Sequence, residues 1–270
     1  GQVKKKEVKR ILSYAYSQGL DLLDTAPAYG NSEKVLGNSN IKNFKIVTKT
    51  RSFNNSKIDQ TSLKIIQNDF SRSLKNLKRD SVYGILVHNA NDLLRPGSEI
   101  LFNKLNDLKR AKKIKKIGVS VYDHIQLQSI LENFEIDLVQ LPFNILDRRL
   151  IDNGLLTTLQ GKGVEVHARS VFLQGLLLMS DQNRPDKFKR WSILWKIWRD
   201  WLNDNQITAL EATVRHVISM PEISKVLVGV DTKDQLKEIV TASSGAFPDI
   251  PPEMFTNDVD LLNPSNWGGL

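Results

Sequence analysis

The apolar residues of this chain change period in a regular order, helix then strand, from one end to the other, and this alternation restricts the fold more than any other feature. Val8, Ile11, Leu12 and Ala15 recur at i, i+3, i+4 and i+7, one face of a helix. Gly19 stops that helix where a C-terminal glycine is preferred. Residues 20–23 (LDLL) read as a short strand, 32–36 as a brief helix closed by Gly37, and 44–49 (FKIVTK) as the next strand. Leu63, Ile66, Phe70, Leu74 and Leu77 predict a long amphipathic helix ahead of strand 81–88 (SVYGILVH). The pattern continues with a helix marked by Leu101, Leu105 and Leu108, then strand 115–120, a helix around 124–133 and strand 137–141. It ends with a helix around 150–161, strand 164–168, a helix near 206–219, strand 225–229 and a helix near 232–241.

Strands alternating with helices indicate parallel βαβ units. About seven strands are expected, each short and apolar on both faces, with no compositional break to mark a linker. A doubly wound sheet and a barrel both fit. No Gly-x-Gly-x-x-Gly follows any strand, which removes the usual dinucleotide fingerprint and favours the barrel. A (β/α)8 TIM-type barrel needs eight strands and this chain opens on a helix, so the expectation is a barrel lacking its first strand, in one domain over residues 1–270. Two segments stand outside the repeat. Trp191, Trp195, Trp198 and Trp201 form an aromatic stripe on one helix face, expected to be packing. The proline-rich tail 245–270 is expected to be extended and able to cross a barrel mouth.

With 40% hydrophobic and 25% charged residues, the chain has the balance of a globular protein. Cysteine is absent, which excludes disulfides, thiolate metal sites and cysteine nucleophiles, and fits a reducing compartment such as the cytoplasm. No apolar run is long enough to span a membrane, and no apolar stretch follows the basic first ten residues as a secretory signal requires. The net charge of +8 includes two clusters, Lys4, Lys5, Lys6, Lys9 and Arg10, and then Arg110, Lys112, Lys113, Lys115 and Lys116. Neither contains an aromatic residue, and both adjoin helical patterns, so they read as solvated helix ends and not as a nucleic-acid surface.

Chemically useful side chains gather at the C-terminal ends of successive strands: Asp24 ends the first, Tyr29 lies in its loop, Lys49 ends the second and His88 the third. In a parallel barrel those ends share the face where catalytic groups are found. Each has a plainer reading alone: Asp24 as a turn cap, Tyr29 as a packed aromatic, Lys49 as a snorkelling lysine, His88 as a hydrogen-bonded strand end.

Residues 20–37 (LDLLDTAPAYGNSEKVLG) resemble the D-T-A-x-x-Y-G-x-S-E signature of the aldo-keto reductase family. Residues 46–50 (IVTKT) and 84–89 (GILVHN) are similar to the strands carrying the family's lysine and histidine, and weaker matches continue through 117–120, 139–144, 169–177 and 226–236. The resemblance implies a (β/α)8 barrel that reduces carbonyls with a nicotinamide cofactor and without metal. It also implies a first strand and preceding hairpin, so an N-terminally truncated chain is expected. A carbonyl receiving hydride needs a proton donor. The implied roles are Tyr29 as acid, Lys49 as the charge that makes the phenol more acidic, Asp24 as the partner of Lys49, and His88 as a donor orienting the carbonyl.

By the same resemblance Asp24, Ser120, Gln140, Arg169, Ser170, Gly229, Asp231, Thr232 and Gln235 line the cofactor. Ser120 and Gln140 would bond the nicotinamide carboxamide, while Val121 replaces the family's frequent Asn. Arg169 stands where many members stack an aromatic ring. Residues 229–235 would hold the adenosine phosphates at a helix N-terminus, although Thr232 and Gln235 also form a capping box. NADP is the family-level default. NAD is the alternative, because Gly229 and Gln235 stand where NADP-preferring members carry cations and Asp231 opposes a 2′-phosphate. The expected substrate is a small carbonyl compound, sugar-like in one version. The alternatives are an NAD-dependent aldose dehydrogenase and a non-catalytic cofactor-binding interaction module.

Overall fold

The computed structural model describes residues 2–53 and 57–269; Gly1 and Leu270, the limits of the expected domain, lie outside the described residues. The chain runs α1 (Lys5–Ser17), β1 (Leu22–Asp24), α2 (Ser32–Gly37), β2 (Lys45–Lys49), α3 (Gln60–Leu77), β3 (Val82–Val87), α4 (Ser98–Arg110), β4 (Ile114–Ser120) and α5 (His124–Asn133). It continues with β5 (Leu138–Pro142), α6 (Arg149–Asp152), α7 (Leu155–Gly161), β6 (Glu165–Arg169), α8 (Ser192–Asp204), α9 (Ala209–Ile218), β7 (Lys225–Val226), α10 (Lys233–Ala242) and α11 (Val259–Leu262). The strands form a seven-stranded sheet in sequence order, β1 to β7, with parallel ladders. Each of the seven strands expected from the periodicity is present.

Contacts divide the chain into two compact units. The first comprises Gly1–Leu141, Gly163–Val166 and Val230–Leu236. Its central strands are buried on both faces, as parallel strands are, and Val47, Leu86 and Leu138 meet with no exposed surface. Local signals set the helix ends. Asp59 and Ser62 close a reciprocal capping box at the start of α3, and Gly19 takes a φ of +74° just past α1. Gly37 is required for a different reason: a Cβ there would lie 2.0 Å from the Asn76 carbonyl oxygen, so its bare backbone allows α2 to approach α3.

The second unit comprises Pro142–Lys162, His167–Gly229 and Lys237–Leu270. Trp195, Trp198 and Trp201 of α8 are buried together with Trp191, and they pack against Phe247, Ile250, Met254, Leu261 and Leu262 of the tail. The indoles find acceptors, as buried tryptophans require: Trp191 donates to Asp258, Trp198 to the Leu177 carbonyl and Trp201 to the Asp249 carbonyl. The expected helix over 150–161 is two helices. Gly154 sits at φ +69° between them, and the Asn153 side chain accepts the Leu155 N–H, so the break has local turn chemistry behind it. Strand 225–229 shortens to two residues in β7, the Leu227 N–H still reaching the Ala168 carbonyl.

His216 in α9 is 3% exposed and stacks on Phe143 with ring centroids 5.4 Å apart. Burial, reinforced by the nearby Arg148 charge, pushes its pKa down to about 4 from an ordinary 6.5. The unfolded chain therefore takes up a proton as pH falls through 6.5, and the folded chain does not until about pH 4. Stability should decline across that window by up to ~3 kcal/mol. Thermal unfolding of His216→Phe should be flatter between pH 6.5 and pH 4 than that of the parent; parallel curves would show that another group sets the acid limb.

Candidate active site

Asp24 is the last residue of β1 and Lys49 the last of β2, and the ladder places Asp24 opposite Val47. Lys49 is 2% exposed. Its ammonium lies 2.6 Å from Asp24 Oδ2 and donates to the Thr25 carbonyl at 3.1 Å, the ionic and polar partners that a buried charge needs. The other carboxylate oxygen, Oδ1, accepts from Gln140 Nε2 at 2.8 Å. The carboxylate is thus shared between an ammonium and an amide, which fixes both.

Tyr29 sits on the turn after β1, where its N–H donates to Ala26 and its carbonyl accepts from Ser32. The Lys49 ammonium lies over its ring, 5.0 Å from the centroid. The His88 ring meets it edge-on, with centroids 5.9 Å apart and planes at 86°. Tyr29 is 46% exposed, while the lysine beside its ring is closed off. The four residues picked out at the strand ends are therefore brought together, and Gln140 joins them from β5.

Ser32 and Glu33, which had no assigned role, support the loop. Ser32 Oγ is 3.0 Å from Thr25 Oγ1, and buried Glu33 accepts from Thr48 at 2.8 Å and from Asn76. Both belong to the 20–37 signature: Ser32 ties the turn carrying Tyr29 to Thr25, and Glu33 ties α2 to β2 and α3.

Ser120 pairs with Gln140 across the β4–β5 ladder, and both are buried. A second group surrounds the start of α10. The Asp231 and Thr232 N–H groups both donate to Gln235 Oε1, at 2.8 and 3.2 Å, and the Gln235 N–H donates to Thr232 Oγ1 at 3.1 Å. This is the expected capping box. The next N–H, of Lys233, donates to Glu7 of α1 at 2.8 Å. That hydrogen bond is the main cause holding the Glu7 carboxyl below its usual range, with Arg10 adding to it. Sequence reading missed Glu7, because one acid amid the basic first turn of α1 gives no sign of a partner far along the chain. Arg169, Ser170 and Gly229 belong to the second unit. There Arg169 donates to the Ser170 hydroxyl at 3.3 Å, and Ser170 adopts a φ of +59°.

Residues 1–256 match the model of the aldo/keto reductase family. The chain belongs to that family. The reductase is similar to an NADH-specific methylglyoxal reductase of Escherichia coli, 26% identical over 262 residues, covering 84% of this chain and 80% of the relative. It also matches an aldo-keto reductase of Bacillus subtilis at 29% identity over 151 residues, covering 52% of this chain and 45% of that protein. Among solved structures, an aldo-keto reductase from Bacillus halodurans superposes with a TM-score of 0.72 at 21% identity, covering 94% of this chain and 86% of that one. A glycerol dehydrogenase from Gluconobacter oxydans gives 0.69 at 19%, covering 90% and 82%. These likenesses bear out the β/α-barrel fold class. The reductase is an oxidoreductase acting on carbonyl groups with a nicotinamide cofactor. No helix among its described residues is long and apolar enough to cross a membrane.

Proposed function

We propose that the reductase converts a small aldehyde or ketone to an alcohol, with Tyr29 as proton donor and NADH as preferred cofactor. When bound, the cofactor supplies the hydride. The observation that carries the reading is the buried Lys49 ammonium, held between Asp24 and the Thr25 carbonyl and facing the ring of half-exposed Tyr29. A fixed positive charge beside a phenol favours the phenolate and eases proton release to an oxygen that is gaining charge. Asp24 and Gln140 keep the ammonium in place. His88, edge-on to the phenol, orients the carbonyl as a hydrogen-bond donor.

The polar groups present suit a carboxamide. Gln140 donates its N–H to Asp24 and so presents its carbonyl oxygen as an acceptor, and the Ser120 hydroxyl beside it provides a donor. Family pattern directs the adenosine end of the cofactor to residues 229–235. Asp231 and Glu7 add two carboxylates there, Glu7 paired with Arg10 at 2.7 Å, and the Lys233 ammonium lies over the Tyr14 ring, 5.6 Å from its centroid. Carboxylates set beside a phosphate repel it, which disfavours the 2′-phosphate that distinguishes NADPH. The Escherichia coli relative, named as NADH-specific, supports the same choice.

Initial rates with NADH and NADPH on methylglyoxal and a panel of simple aldehydes test this. We expect kcat/KM to favour NADH by at least about tenfold, and Glu7→Gln, which keeps an acceptor for Lys233, to narrow the gap by improving NADPH. A parent enzyme preferring NADPH overturns the cofactor assignment; failure to oxidise either cofactor with any aldehyde overturns the reaction.

A further inference from the structure

Lys49 ends β2 and His88 directly follows its neighbour β3, and the segments after them are stitched together at successive points. The Thr50 N–H continues the ladder to the Leu86 carbonyl, and Thr50 Oγ1 accepts the His88 N–H at 3.3 Å. Further on, Phe53 is held at both its backbone groups. Its N–H donates to Asp92 Oδ2 at 3.2 Å, and its carbonyl accepts from Arg95 Nη1 at 3.0 Å. Arg95 also lies 3.4 Å from Asp92 Oδ1 and donates to the Asn91 carbonyl, so the two side chains work as one bracket. The Ile58 N–H, bonded to the Pro96 carbonyl, closes the far end.

Asp92 has no exposed surface. A carboxylate placed there costs desolvation that an apolar residue would avoid, and its partners among the described residues are one backbone N–H and one stretched ion pair. That is an unfavourable way to fill a core. It is an effective way to fix one strand-end loop against another, because a carboxylate and a guanidinium can take a single residue's N–H and C=O together.

We propose that Asp92 and Arg95 are positioning residues that hold the loop after Lys49 against the loop after His88. The ammonium and the imidazole thereby meet Tyr29 at a fixed separation. The proposal rests on the reading of Lys49, Tyr29 and His88 as the working group. Both bracket residues act through Phe53 and the loop backbones. Misplacement by about 1 Å can lower a rate by about 10²-fold, so a loosened bracket shows in kcat more than in KM.

The test compares Asp92→Ala, Asp92→Asn and Arg95→Leu in the full chain, with Tyr29→Phe alongside. Asp92→Ala should lower kcat at least tenfold with KM changed less than threefold. Hydrogen exchange at the Phe53 amide should accelerate at least tenfold while the amides of buried Leu86 and Val119 keep their protection. Asp92→Asn, which retains an acceptor for Phe53, should restore both. Arg95→Leu should reproduce the kcat loss and gives the same reading should Asp92→Ala fail to fold. Normal kcat in Asp92→Ala and Arg95→Leu, with Tyr29→Phe inactive, overturns the bracket and leaves the proton-donor reading intact. Full turnover in Tyr29→Phe overturns that reading instead, whatever the bracket variants do.

Discussion

Tyr29→Phe should lower kcat for aldehyde reduction by about 10²–10⁴-fold, the usual contribution of a positioned general acid. The substitution removes one oxygen and little else. Phenylalanine retains the ring that the Lys49 ammonium faces at 5.0 Å and that the His88 ring meets edge-on. Tyr29 is 46% exposed, so removing its oxygen opens no buried cavity. Melting temperature and NADH affinity should therefore stay close to those of the parent. Single-turnover reduction, with NADH binding read from fluorescence, separates the two quantities. A kcat within threefold of the parent would remove the phenol from the chemistry.

That the site was legible at all follows from the architecture. A parallel β/α repeat writes its strands as short apolar runs between helical periods, and the residue ending each run is placed on one face by the repeat itself. Asp24, Lys49 and His88 could be chosen from strand ends alone. What the periodicity could not show was which of these residues touch distant parts of the chain. Gln140 donates to Asp24 across 116 residues and Lys233 to Glu7 across 226. Such bonds leave no local trace, since glutamine in an apolar strand and glutamate in a basic helix have ordinary uses. The bracket at Asp92 was hidden for a related reason: its role depends on the backbone of Phe53, and a backbone group has no sequence signature. Where local chemistry decided the outcome, as at Gly154 between α6 and α7, the signal was present and was overridden by an apolar pattern that ran across the break.

Lys49→Met should destabilise the chain by about 3–5 kcal/mol, the cost of leaving a buried charge without its partner. Methionine approximates the lysine stem, so packing changes little. Asp24 then keeps the Gln140 amide on Oδ1, with its side chain 19% exposed. Adding Asp24→Asn removes the stranded charge while retaining an oxygen for Gln140, and most of the lost stability should return in the double variant. Activity should not return with it. Both Lys49→Met and the double variant lack the ammonium facing Tyr29, so kcat should remain at least about 10²-fold down in each. Urea unfolding measures the first quantity and steady-state rates the second. If stability and turnover recover together in the double variant, Lys49 serves only to neutralise Asp24, and the phenol needs no ammonium to act. If turnover stays low once stability is regained, the lysine acts on the proton transfer itself, and its burial behind an exposed tyrosine is what allows one fixed charge to serve both the fold and the reaction.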